Sequence, residues 1–256
     1  MIRSIDLNAD LGEGYGPWSM GDDVAMLGIV TSANIACGGH AGDPDTMFDT
    51  LAVAGKNNVA VGAHPGYADR AGFGRRIIPM SPDEMARMIA AQIGALTSIA
   101  RLASVEVRYV KAHGALANLA ATNAAVAQVF VDTVRQLDER LAILAISGTE
   151  IEHAGRSAGA QVFSEVFADR GYQASGQLVP RSEPGALIYD PAEAADRLLG
   201  FLETGLMPVV DGAPIPLAAD SICVHGDSPG AVDMTTQLRS RLLAGGVELR
   251  SFAVTS

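Results

Sequence analysis

Short runs of apolar and β-branched residues recur along the chain between longer segments whose apolar positions fall three and four residues apart. That alternation predicts parallel strands joined by crossover helices. The predicted strands are residues 5–10, 32–37, 59–64, 105–113, 141–147, 161–168, 186–189 and 221–225. Three helix starts are marked by a capping side chain followed by proline: Asp43-Pro44, Ser81-Pro82-Asp83-Glu84 and Asp190-Pro191-Ala192-Glu193. Proline needs no N–H donor at the first helical position, and the last two starts add an acid at the third. In the helix after Ser81, Met85, Met88, Ile89, Ile93, Leu96 and Ile99 make one apolar stripe to lay on a sheet. Leu198, Leu199 and Leu202 do the same later, as do Leu238, Leu242 and Leu243 before the Gly245-Gly246 stop.

No internal repeat appears beyond the β-α alternation, and no Ser/Gly/Pro linker divides the 256 residues. The expectation is one α/β domain over residues 1–256, an irregular (β/α) barrel of seven or eight strands. Apolar residues make up 48% but aromatics only 5%, which suits close helix-on-sheet packing better than a broad aromatic binding surface. A formal charge of -11 with 18 Lys and Arg excludes a nucleic-acid partner, because phosphate binding needs clustered cations. The polar start Met-Ile-Arg-Ser-Ile-Asp and the lack of a run of about 18 apolar residues predict no export signal, no membrane span and a cytoplasmic location. Cys37 and Cys223 are too few for a disulfide framework and are read as core packing in a reducing compartment.

The polar residues change the picture by where they fall. The chain leaves its predicted strands through Asp6-Leu-Asn8-Ala-Asp10-Leu-Gly-Glu13, Asn34-Ile-Ala-Cys37-Gly-Gly-His40, His64-Pro-Gly, Lys111-Ala-His113-Gly, Glu165-Val-Phe-Ala-Asp169-Arg170 and His225-Gly-Asp227. Four of the five histidines are in this set. Barrel active sites are built from the loops after the carboxyl ends of the strands, so these groups are expected to meet at one rim. A lone strand-end histidine is usually a hydrogen-bonded structural residue. Four at equivalent places are another matter, because gathering ionisable groups in a buried site is costly unless the site uses them. His153, among charged neighbours in a helical stretch, reads as surface.

Asp10, His40 and His64 could hold a divalent metal that polarises a carbonyl or activates water. Without metal, His64 and His113 could act as general acid and base with Asp10 orienting one of them. Lys111 lies one strand period before His113, so both point the same way. Its ammonium could stabilise an oxyanion or a phosphoryl group, or be a buried ion pair with Glu165 or Asp169. The glycine-rich stretch 62–76 ends in Arg75 and Arg76, whose guanidinium groups suit a carboxylate or phosphate, or a surface salt bridge. Pro17 spoils any dinucleotide loop after Asp10, no Walker-type phosphate loop occurs, and Cys37 reads as packing rather than nucleophile.

The blocks Asp6–Glu13, Ser32–Pro44, Gly62–Tyr67, Gly72–Arg76, Lys111–Leu116, Glu165–Arg170 and Cys223–Asp227 together resemble the signature segments of the LamB/YcsF family, to which bacterial 5-oxoprolinase A subunits belong. They run in order from residue 6 to residue 227, nearly the whole chain. The resemblance implies a barrel similar to the glycoside hydrolase/deacetylase superfamily. It also implies opening of the lactam 5-oxoproline to glutamate with ATP and magnesium, and work alongside separate B and C subunits. Catalytic roles are expected for Asp10, His64, Lys111, His113, Asp169 and His225, and substrate contacts for Asn8, Glu13, Asn34, His40, Arg75, Arg76 and Asp227. The family usually reads Lys-Pro-His-Gly-Ala-Leu-Tyr-Asn where this chain has Ala112 and Ala117, so the approach to His113 is less rigid and one aromatic is lost.

The inferred chemistry suits the residues. Phosphorylating the lactam oxygen activates the ring carbon toward water, with Lys111 and Arg76 at the phosphoryl group and His64 or His113, oriented by Asp10, as base. Two rivals stand beside it: an ATP-independent, metal-dependent deacetylase or amidase, and a non-catalytic lactam-binding subunit.

Overall fold

The computed structural model describes residues 4–225 and 230–253. Strand β1 (Ser4–Leu11) leads through helix α1 (Asp23–Leu27) to β2 (Ser32–Ala36), α2 (Pro44–Lys56) and β3 (Ala60–His64). Next come α3 (Pro82–Leu102), β4 (Val107–Val110), α4 (Gly114–Thr122), α5 (Ala124–Leu137), β5 (Ala142–Ile146), α6 (Glu150–Ser157) and β6 (Val162–Phe167). The chain ends with α7 (Pro191–Thr204), β7 (Leu206–Met207), β8 (Ile215–Pro216), β9 (Ser221–Val224), α8 (Ala231–Ala244) and β10 (Glu248–Leu249).

Strands β1 to β6 and β9 lie side by side, all parallel, and β9 pairs back onto β1 from Asp6↔Ser221 to Ala9↔Val224. The result is a closed seven-stranded barrel ringed by helices. β10 extends the start of β1, and β7 and β8 form a separate antiparallel pair. The predicted strand at 186–189 is absent: Leu187 makes only an isolated bridge to Arg170. That run is too short to cross the sheet, and the turn before it is held from the barrel side, where Arg170 donates to the carbonyls of Ala186 and Val179. Residues 168–190 thus become a loop at the mouth.

Alternation along β1 explains the unusual interior. Ile5, Leu7, Ala9 and Leu11 are buried in the main hydrophobic cluster, and Asp6, Asn8 and Asp10 take the other face. Those polar groups form a ladder up the barrel. Asp6 accepts from Thr31, Ser32 and Ser221. Asn8 donates to Ser221 at 2.7 Å, and Asn34 donates to Asn8 at 2.7 Å and to Asp10 at 2.8 Å. Gly62 belongs to this packing, because a Cβ there would lie 2.2 Å from the Tyr109 ring. Below, Phe252 packs on Phe163 and Tyr109 with ring centroids 4.5 and 4.9 Å apart, closing the amino end of the barrel.

The helix starts follow the capping pattern. Asp43 and Asp190 cap α2 and α7, and Ser81 and Glu84 complete a capping box on α3. The α3 stripe buries Met85, Ile89, Ile93 and Leu96, while Leu243 of α8 faces out. Among the described residues no single helix is long and apolar enough to cross a membrane; α4 and α5 pass that test only as a pair, bent by 118°.

Candidate active site

The carboxyl ends of the strands open into a cavity of about 760 Å³. Its floor is made by Asp10, Lys111 and Glu165, which arrive from β1, the end of β4 and β6. Lys111 Nζ lies 3.0 Å from Asp10 Oδ1 and 2.7 Å from Glu165 Oε1. Burial pushes the Asp10 carboxyl up, but the charges of His64 and Lys111 outweigh it and hold the group well below the ordinary carboxylate range. Burial raises Glu165, and Lys111 only partly offsets this. For Lys111 burial opposes the charge, yet Asp10 and Glu165 keep the ammonium well above its usual value. The Lys111 side chain is therefore both a partner in buried ion pairs and a cation on the cavity floor.

One wall carries three imidazoles. His40 and His113 stack with centroids 3.5 Å apart, and His64 meets His113 edge-on. His64 Nδ1 faces the Lys111 carbonyl at 2.9 Å and His113 Nε2 faces the Phe73 carbonyl at 2.8 Å. A carbonyl oxygen only accepts, so both nitrogens carry hydrogen. The other nitrogens, His64 Nε2 and His113 Nδ1, then point bare lone pairs at each other across 3.1 Å when the rings are neutral. Such an arrangement calls for a positive charge between them, which a metal ion would supply; Asp10 Oδ2 also lies 3.3 Å from His64 Nε2.

Glu13 Oε1 completes the group, 3.1 Å from His40 Nε2 and 3.8 Å from His113 Nδ1. The ligand atoms of Glu13, His40, His64 and His113 all lie within 4.8 Å of one another. Burial lowers the His40 and His113 pKa values, that of His113 to about 3, with the neighbouring imidazoles adding to the effect. Three imidazoles and a carboxylate, with the far nitrogens of His64 and His113 fixed by carbonyls, fit a divalent transition metal. Of the metal set expected from the sequence, His40 and His64 fall in this group with Glu13 and His113, while Asp10 stands just outside it, bonded to Lys111 and Asn34.

On another side of the cavity His225 Nδ1 is 2.7 Å from Asp169 Oδ2, with the His225 ring stacked on Phe167. Asp169 is raised by burial and brought below its usual value by His225. Arg170, Gln173 and residues 177–182, Arg181 among them, border the outer cavity, where Arg75 also stands. Arg75 lies over the Phe73 ring at 4.9 Å.

Other expected contacts sit elsewhere. Arg76 is not at the cavity: its guanidinium forks onto Asp69, with Nε 2.7 Å from Oδ2, and pins the loop around Gly72. Asn8 and Asn34 are buried beneath the floor and position Asp10 and Lys111 without lining the cavity. His40 and Glu13 serve the imidazole wall, His153 is exposed, and Asp227 lies outside the described residues. Ala112 and Ala117 both line the cavity, so the missing proline and tyrosine alter its wall directly. Sequence reasoning put Glu165 among the groups at the rim and beside Lys111, but named it neither as a catalytic nor as a substrate-contact residue. Arg181 carried no signal, since the loop that delivers it has no periodicity.

The sequence profile described as LamB/YcsF family matches residues 5–256. The chain belongs to the LamB/YcsF family. Relatives similar to this LamB/YcsF chain include the 5-oxoprolinase A subunit of Mycobacterium avium, 50% identical over 251 residues covering 98% of this chain and all of that one. The third of the 5-oxoprolinase A subunits of Pseudomonas syringae pv. tomato is 47% identical over 252 residues, covering 98% of each. The crystal structure of the lactam utilization protein from Thermus thermophilus superposes with a TM-score of 0.92 at 40% identity, covering 97% of this chain and all of that one. The α/β barrel is thus the fold of this LamB/YcsF family member.

Proposed function

We propose that this chain opens the ring of 5-oxoproline to give glutamate, as the A subunit of an ATP-dependent 5-oxoprolinase acting with B and C subunits in the cytoplasm. The observation that carries the reading is the joining of one ammonium, two carboxylates and an imidazole–carboxylate pair around one cavity. The names borne by relatives that match it end to end support the substrate. A lactam carbonyl needs its developing negative charge stabilised, and Lys111 supplies the cation at the floor. His225, fixed at Nδ1 by Asp169, keeps Nε2 as the base for water; His113 donates from Nε2 to the Phe73 carbonyl, turns Nδ1 toward His64 and Glu13, and instead shapes the wall. Arg75, rather than Arg76, stands where a phosphoryl or carboxylate group would enter.

Glu13, His40, His64 and His113 would hold a divalent metal, which when bound polarises a carbonyl oxygen or activates water. This group favours a second reading, an ATP-independent metal-dependent amidase. One assay separates them: 5-oxoproline, ATP and magnesium with this chain alone and then with B and C subunits, following glutamate and phosphate together. The first reading expects glutamate and phosphate in equal amounts from the complete assembly. Glutamate formed without ATP and abolished by chelator would replace it with the second, and no glutamate under any condition would end both.

A further inference from the structure

We propose that Glu165 is the acid that protonates the ring nitrogen as the lactam opens, and that it thereby couples phosphate release to ring opening; this rests on the ATP-dependent lactam reading above. Glu165 is 1% exposed and lines the cavity beside Lys111. Its Oε1 faces the ammonium at 2.7 Å, while Oε2 is buried and accepts from no described residue. The other acids of the site are differently committed. Asp10 takes Asn34, Lys111 and His64, and Glu13 faces His40. Asp169 also has a buried oxygen without a partner but holds His225 and does not line the cavity. Glu165 is thus the cavity carboxyl with an oxygen left over for a ligand.

One ammonium faces two buried carboxylates on this floor, so a single proton relieves the excess negative charge. Asp10 has two donors, Asn34 and Lys111, to stabilise its ionised form and Glu165 has only Lys111, which places the proton on Glu165. Burial and the charge of Asp10 both raise the Glu165 pKa, in the same direction.

The chemistry needs that proton. Water adds to the ring carbon of the O-phosphorylated lactam, forming the C–O bond and giving a proton to His225. The resulting tetrahedral carbon carries two departing groups. Loss of phosphate returns intact lactam and wastes the nucleoside triphosphate. Loss of nitrogen opens the ring, but only if the C–N electron pair is met by a proton, since an amide anion is a very poor leaving group. The O–H proton of Glu165 goes to nitrogen, and the new carboxylate is held by Lys111. The added hydroxyl gives its proton to the Glu165 carboxylate as the carbonyl re-forms, which restores the acid and leaves an acyl phosphate. His225 then releases its proton to solvent, and a second water converts the acyl phosphate to carboxylate and phosphate.

The test uses the complete assembly with B and C subunits, 5-oxoproline, ATP and magnesium. Glu165→Gln keeps the shape and removes the titratable proton. It is expected to lower glutamate formation about 100-fold and to lower phosphate formation much less, so that phosphate per glutamate rises well above the wild-type value. The corresponding lactone, whose oxygen leaves without prior protonation, should still be opened by the variant. Equal loss of glutamate and phosphate, or equal loss on lactam and lactone, overturns the role. If Glu165→Gln does not assemble, Glu165→Asp serves: its shorter reach should raise the ratio, and an unchanged ratio overturns the role. Failure of the underlying reading is distinct, because the wild-type assembly itself would then make no glutamate.

Discussion

Removing the Lys111 ammonium leaves the ionised Asp10 without its cation on a buried floor beside Glu165. Lys111→Met keeps most of the volume, so its cost is electrostatic: about 3–5 kcal/mol of stability at pH 7, measured by urea unfolding. The loss should shrink at pH 5 as Asp10, no longer held ionised by Lys111, takes up a proton. A second buried acid sets a pH dependence of its own. Burial raises the Asp6 pKa from 3.8 to about 6, against three hydroxyl donors that pull it down. A raised folded pKa means that the native state holds the proton more tightly than the unfolded chain. The stabilisation is therefore complete below about pH 4 and is lost as pH rises through about 6, a swing of about 3 kcal/mol. Asp6→Asn should flatten that part of the profile. Unfolding midpoints of both proteins between about pH 4 and 7 would show it, and parallel profiles would refute it.

Among the elements, the connections after β3 and β4 shape the site more than the strands do. Gly74 has φ +62°, and a Cβ there would lie 2.7 Å from His40 Cβ and 2.9 Å from His113 Cδ2. Gly74→Ala therefore combines backbone strain with displacement of the stacked imidazoles, and should cost about 1–3 kcal/mol and weaken divalent-metal binding by calorimetry. Metal affinity equal to wild type would show that the wall does not depend on this contact. Helix starts were legible because capping is local: Asp43, Ser81 and Asp190 each satisfy backbone donors within a few residues of themselves. The run at 186–189 was misread because a short apolar segment looks the same in a strand and in a loop pinned by Arg170. Its role depends on what faces it across the mouth.

At the scale of the molecule, closure of β9 onto β1 brings residues more than 200 apart into bonding contact, as Asn8 and Ser221 show. The four-ligand group is assembled from the ends of the neighbouring strands β1 to β4. Protein given a divalent transition metal at about 100 times its dissociation constant should gain roughly 5–10 °C in Tm, and His113→Ala should erase the shift. An identical Tm with and without metal would argue against the group as a metal site.

Residue order alone was enough for the period-two placement of Asp6, Asn8 and Asp10, the capped helices, the strand ends at which four histidines occur and the family blocks that join them. Each is local, or a pattern repeated along the chain. It took the folded barrel to turn Arg76 toward Asp69, to keep Asn8 and Asn34 below the floor, and to put Glu13 and His113 in place of Asp10 in the candidate metal group. Partner choice among charged side chains is a matter of a few ångströms between distant segments, and spacing along a chain does not encode those distances.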